Sequence, residues 1–156
     1  MDFVSVDLDR NMDMCISFRR DAHIVSYGSD DAFDINSVQK WFEKLGNKAD
    51  GTGFYHVFHE GKIIGQLEFE SGLKNDKGEL YGYIYLIYLK QNFRNQGLGI
   101  ELQDFVFSRF KSDGCKYAEL RYLAENSQGK RFYTKHGWQD VGQVSSRGQL
   151  SVKRLI

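Results

Sequence analysis

The stretch "YGYIYLIYLKQNFRNQGLGIELQDFVFSRFKSDGCKYAELRY", residues 81–122, decides the fold. Residues 81–89 carry aromatic and aliphatic side chains without a single charge and read as a strand. From Gly97 the period changes. Leu98, Leu102, Phe105, Val106 and Phe110 recur at helical spacing, and Gly114 supplies a stop. "KYAELRYL" then reads as a second strand. Strand (81–89), glycine turn, helix (97–113) and strand (116–122) make a βαβ unit, with parallel strands and a right-handed crossover. In such sheets ligands sit at the carboxyl ends of the strands. A helix that starts there offers free N–H groups and the positive end of its dipole, which suits a phosphate. Gly97 and Gly99 let the backbone pass close to an anion with no Cβ in the way.

Working outward, "FVSVDL" alternates as a strand, and Asp9 is placed to cap a helix with Met14, Cys15, Phe18 and Ala22 on one face. "SYGSDDAFD" reads as a loop. A second helix carries Val38, Trp41, Phe42 and Leu45 on one face, with Gly46 placed to end it. The turn-rich loop 46–53 leads to a hairpin over 54–71 that turns at Glu60–Gly61, and 72–79 link it to the strand at 81–89. After the βαβ unit, "NSQGKRFYTKHG" is a short helix capped by Asn126 or Ser127. The tail from Trp138 reads as a final hairpin turning near Ser146–Gly148. There is no internal repeat or low-complexity tract, so residues 1–156 read as a single domain.

A Gly-x-Gly alone says little about which phosphate ligand is bound. The dinucleotide fingerprint needs its first glycine straight after the strand and a third glycine further on. Here Lys90 to Gln96 intervene, Leu102 holds the third position, and Glu125 as a ribose-binding acid does not rescue the loop. The Gly-x-x-x-x-Gly-Lys-Ser/Thr loop is absent. A glycine-rich helix start that binds nothing is the bland reading of "RNQGLG".

Two motifs together favour a specific reading. "RNQGLG" (94–99) matches an Arg/Gln-x-x-Gly-x-Gly/Ala pyrophosphate loop. "ENSQGKRFYTKHGW" (125–138) supplies Asn126, then Tyr133, then Gly137 and Trp138. With these motifs the chain resembles the GNAT family of acyl-CoA-dependent N-acetyltransferases; the specific match covers about residues 81–138. The resemblance implies an α+β (mixed α/β) fold: a mostly antiparallel sheet of about six to seven strands with a splayed parallel pair in the middle, flanked by about four helices. It also implies transfer of an acetyl group from acetyl-CoA, as cosubstrate and with no metal, to a primary amine of a small molecule or peptide. A non-catalytic acyl-CoA-binding sensor is the alternative. Two departures stand out: Gln91 and Asn92 replace a proline common before the loop, and Tyr83 stands near the position of a catalytic glutamate in several members.

The resemblance also distributes roles. The cosubstrate falls to Arg94, Asn95, Gln96, Gly97, Leu98 and Gly99 at its pyrophosphate, to backbone groups near Ile87 and Leu89 along its pantetheine arm, and to Asn126. One of those backbone N–H groups would polarise the thioester carbonyl. Tyr133 would protonate the leaving thiolate, since a phenol of pKa about 10 is neutral at pH 7; packing beside Phe132 is its plain reading. Glu79, Glu68, Glu70 and His56 are candidates to deprotonate the amine, directly or through water, and each has an ordinary structural reading as well. His136 suits the helix dipole better than a base. Cys115 has no activating partner in view. Asp21, Asp30, Asp31 and Asp34 would either line a pocket for a cationic amine or form a solvated acidic loop.

Composition sets the outer limits. The formal net charge is zero, which argues against nucleic acid or a membrane surface as partner and leaves a homodimer open. The run at 81–89 is far short of the roughly 20 residues of a membrane span. No basic region followed by an apolar stretch opens the chain, and Cys15 and Cys115 have no metal-like spacing. The expectation is a cytoplasmic protein with reduced thiols.

Overall fold

Alternation along the strands and two helical stripes generate three layers. The computed structural model describes residues 1–47 and 51–155. Its strands are β1 (Asp2–Ser5), β2 (Thr52–His59), β3 (Lys62–Lys74), β4 (Leu80–Leu89), β5 (Tyr117–Tyr122), β6 (Gln139–Ser145) and β7 (Gly148–Arg154). Its helices are α1 (Leu8–Tyr27), α2 (Ile35–Asn47), α3 (Leu98–Ser112) and α4 (Ser127–Lys135). The strands form one seven-stranded sheet in the order β1-β2-β3-β4-β5-β7-β6. Every pairing is antiparallel except β4 with β5. This is the mixed α/β architecture that the sequence implies.

The helices bury opposite faces of the sheet. Leu102, Val106 and Phe110 of α3 pack with Leu67, Phe69 and Leu120 in the larger core. Cys15 and Ile16 of α1 and Phe42 and Leu45 of α2 pack with Phe54 in the smaller one. The α1–α2 side also carries a buried polar row: His56, Gln66 and Glu68 are all within 1% of fully buried. Glu68 accepts from Arg19, Trp41 and Gln66, so its charge is paired and hydrogen-bonded.

Several boundaries differ from the expectations. Leu8 packs into the smaller core, so α1 begins two residues earlier and Asp7 rather than Asp9 caps it, accepting from the Arg10 N–H at 3.3 Å. α2 passes through Gly46 to Asn47; the loop expected over 46–53 lies partly outside the described residues. β3 runs on to Lys74 past a register shift between Glu70 and Leu73, so the link to β4 is shorter than 72–79. The hairpin at Glu60–Gly61 forms as expected, with positive φ of 52° and 77°. In the last hairpin, β7 inserts beside β5 and leaves β6 exposed at the edge.

The parallel pair is short. β4 and β5 are in register only from Tyr81–Ile84 against Tyr117–Leu120. Beyond Ile84 and Leu120 they diverge: β4 continues beside β3 alone, and β5 beside β7 alone.

Candidate active site

The divergence leaves backbone groups facing an opening. The Lys90 N–H donates to the Ile64 carbonyl at 2.8 Å, which makes that a hydrogen-bonded pair. Antiparallel ladders alternate, so Tyr88 with Gln66 and Leu86 with Glu68 are bonded pairs too. The polar groups of Ile87 and Leu89 therefore point the other way, toward β5, which has turned aside. One of them is taken: the Leu89 carbonyl accepts from Arg94 Nε at 2.7 Å.

The turn between β4 and α3 is built for close approach. A single 3₁₀ turn, Gln91–Phe93, is followed by Asn95 at φ 61° and by Gly97 at φ 81° as N-cap of α3. No side chain caps α3, so its first N–H groups face outward beside the positive end of the helix dipole. Gly99 serves packing as well: a Cβ there would stand 2.9 Å from the Phe132 ring of α4. Gln96 Nε2 donates to the Asn92 carbonyl at 2.8 Å and braces the turn, while Leu98 packs against the larger core.

One cleft of about 1060 Å³ joins these parts. Ile87, Leu89, Arg94, Asn95 and Gly97 line it, and so do Gly99, Asn126 and Tyr133. Gln96 and Leu98 do not. Arg94 is less free than its place in the motif suggests. Its Nη2 lies 2.7 Å from the Asp21 carboxylate of α1, and its guanidinium stands over the Tyr88 ring at 5.4 Å. Asp21 also accepts from the Tyr88 hydroxyl, so α1 is tied to the carboxyl end of β4 through this trio.

Tyr133 enters from α4. Asn126 caps that helix, its Oδ1 accepting from the Gly129 N–H at 3.0 Å. Tyr122, Phe132 and Trp138 surround the Tyr133 ring, with centroids 5.4 to 5.8 Å away. The Tyr133 hydroxyl makes no hydrogen bond among the described residues, and burial, with the Tyr122 phenol adding to it, pushes its pKa up to about 12. The group is a neutral phenol at any physiological pH.

The candidate bases separate. Glu68 is saturated by its donors, and His56 is sealed between Gln66 and Cys15, its pKa lowered by burial. Glu79 precedes the opposite end of β4 and accepts from Asn75. Glu70 accepts from the Tyr85 hydroxyl at 3.0 Å, and Tyr85 lines the cleft. The register places Glu70, Tyr83 and Glu119 side by side across β3, β4 and β5, one row behind the divergence. Burial raises the pKa of Glu119. Sequence reading missed Glu119; its signal was a charged residue alternating with buried Ala118 and Leu120 in a central strand.

The remaining expectations resolve locally. His136 is the C-cap of α4, and its ring lies tilted against Phe132 with centroids 4.5 Å apart. Cys115 is buried and accepts from the Gly72 N–H, and both cysteines are free thiols. Asp34 caps the start of α2 through Ser37, whose hydrogen bonds lower its pKa, and Asp30 pairs with Arg20 at 3.9 Å. Among the described residues no group of side chains is arranged to hold a metal, and no helix is long and apolar enough to cross a membrane.

Comparison with known proteins agrees with this geometry. The model of the acetyltransferase (GNAT) family matches residues 13–138. No curated protein sequence matches the chain. Among solved structures, it is similar to the PaiA N-acetyltransferase of Thermoplasma acidophilum in complex with coenzyme A (TM-score 0.72, 16% identity, covering 98% of each chain). It is similar to the ribosomal-protein-alanine N-acetyltransferase of Brucella melitensis (TM-score 0.73, 13% identity, 99% of each chain). It is also similar to yncA of Salmonella typhimurium with its cofactor acetyl-CoA (TM-score 0.68, 15% identity, 100% of this chain and 94% of that one). At these identities the likenesses establish the fold.

Proposed function

The chain belongs to the GNAT acetyltransferase family, and on that premise we propose that it transfers an acetyl group from acetyl-CoA to a primary amine by direct attack in a ternary complex. The observation that carries this reading is the shared cleft: the diverging ends of β4 and β5, the uncapped start of α3 and Tyr133 all open onto it. The N–H groups from Asn95 to Gly99 hold the pyrophosphate, with Gln96 bracing their turn and Leu98 anchoring it. Arg94 adds positive charge nearby and fixes the end of β4. Ile87 and Leu89 offer backbone partners to the amides of the pantetheine arm, and an N–H there receives the oxyanion as the amine nitrogen attacks. Asn126 positions α4 through its cap.

As the carbon–sulfur bond breaks, Tyr133 gives its proton to the leaving thiolate. The amine loses its own proton through water toward the row of Glu70 and Glu119. The absence of a carboxylate at Tyr83 makes a water relay the natural path.

A thiol-release assay with acetyl-CoA over a panel of small amines and peptides tests the reading. Amine-dependent release of coenzyme A supports it. Tight binding of acetyl-CoA with no release for any amine would make the domain an acyl-CoA sensor instead.

A further inference from the structure

Five arginines line the cleft, and two of them are already held by carboxylates. Arg19 is held by Glu68 and Arg94 by Asp21. Of the remaining three, Arg131 belongs to α4, whereas Arg121 and Arg147 come from β5 and the β6–β7 turn. Arg121 follows Leu120, the last β5 residue paired with β4, so it stands across the opening from Tyr85. Arg147 lies in the turn between β6 and β7. Both line the same cleft as Tyr85, and neither forms an ion pair among the described residues.

Arg121 Nε is buried and has no hydrogen-bond partner among the described residues. The Tyr83 phenol is within reach of the guanidinium, but a buried charged Nε–H left without an acceptor is costly, so that edge calls for one. Glu119, two residues back on the same face of β5, does not close on it as a salt bridge. Burial raises the pKa of the Tyr83 phenol and both guanidiniums oppose that rise, which agrees with their lining the same cleft. The one carboxylate in the cleft lining, Asp34, is turned to the cap of α2.

We propose that Arg121 and Arg147 form an anion subsite for the acceptor, so that the preferred amine substrate carries a carboxylate. This rests on the acetyl-transfer reading above. The Nε–Nη edge of a guanidinium presents two parallel donors that match the two oxygens of a carboxylate. Tyr85, across the opening, supplies a flat wall beside it.

The test compares β-alanine, 4-aminobutyrate and an α-amino acid with their carboxamides, and with ethanolamine phosphate, in the thiol-release assay. Each N-acetylated acid and amide is also titrated by calorimetry into the protein saturated with coenzyme A. We expect at least one acid to exceed its amide by tenfold or more in kcat/KM, mainly through KM, and its N-acetyl product to bind correspondingly tighter. R121Q and R147Q should each erase most of that preference while acetyl-CoA affinity stays at the wild-type value, which also reports that the variants fold. Equal use and equal binding of acids and amides, preference for the phosphate, or a preference that survives R121Q/R147Q would overturn the subsite. Acetyl-CoA titration reads the underlying function separately: no binding there defeats the acetyl-transfer reading, whereas arginine-dependent carboxylate binding without turnover upholds the subsite alone.

Discussion

Arg94 reaches two elements at once: its Nη2 lies 2.7 Å from Asp21 Oδ2 in α1, and its Nε lies 2.7 Å from the Leu89 carbonyl at the end of β4. The two contacts separate structural from electrostatic roles. Arg94→Ala should lower stability by about 1.5–3 kcal/mol, the usual range for hydrogen bonds to charged groups. It should also weaken acetyl-CoA binding more than binding of a pantetheine fragment without the pyrophosphate. Asp21→Ala should destabilise too but leave Arg94 freer, so acetyl-CoA affinity should hold or rise. Denaturant unfolding and calorimetry on both variants check this. Parallel loss of affinity in the two would assign Arg94 to clamping alone.

Tyr133→Phe removes a hydroxyl that makes no hydrogen bond among the described residues and keeps the ring packed against Tyr122 and Trp138. Turnover should fall by about tenfold to a hundredfold, the low end for a general acid acting on a fair leaving group. Acetyl-CoA affinity and melting temperature should be nearly unchanged. Because burial pushes the Tyr133 pKa to about 12, the wild-type rate should show no loss from phenol ionisation as pH rises past its ordinary value of 10.0. A falling limb near that ordinary value, absent in Tyr133→Phe, would contradict this environment.

His56 makes stability depend on pH. Burial lowers its pKa below 6.5, so the folded protein keeps a neutral imidazole between Gln66 and Cys15. The stabilisation is complete above that value. As pH falls through it, the unfolded chain takes up a proton that the folded one refuses, and stability declines until the lower folded pKa is reached. Urea unfolding at neutral and mildly acidic pH should show this decline in the wild type and less of it in His56→Gln. Identical pH slopes would mean that other groups control it.

Gly99→Ala tests the packing of α3 on α4. Its Cβ would stand 2.9 Å from the Phe132 ring, so the ring must shift, and Phe132 adjoins Tyr133. Overpacking of this kind costs about 1–3 kcal/mol. We expect a lower melting temperature together with reduced turnover. Unchanged values for both would show that the ring yields freely.

The βαβ unit and the two hairpins were legible because their signals are local: a charge-free strand, a change of period at Gly97, and turn residues at Glu60–Gly61. Asn126 was readable as a cap for the same reason. What escaped depends on distant neighbours. Nothing in the last hairpin says that β7 rather than β6 lies beside β5. Within "YAELRY", Glu119 and Arg121 look like the solvent side of a strand; only the divergence of β4 and β5 turns Arg121 into a cleft residue. Arg94 looked like a free phosphate ligand because its partner, Asp21, is far away in sequence. Gly99 looked like a ligand position alone because Phe132 lies on another helix.

The most direct measurement of the central claim is a crystal structure of the protein with acetyl-CoA bound. The expected result has the pyrophosphate on the N–H groups between Asn95 and Gly99, the pantetheine arm beside Ile87 and Leu89, and the thioester sulfur within hydrogen-bonding reach of the Tyr133 hydroxyl. Coenzyme A bound elsewhere on the chain, or held in the cleft with its sulfur remote from Tyr133, would contradict the account.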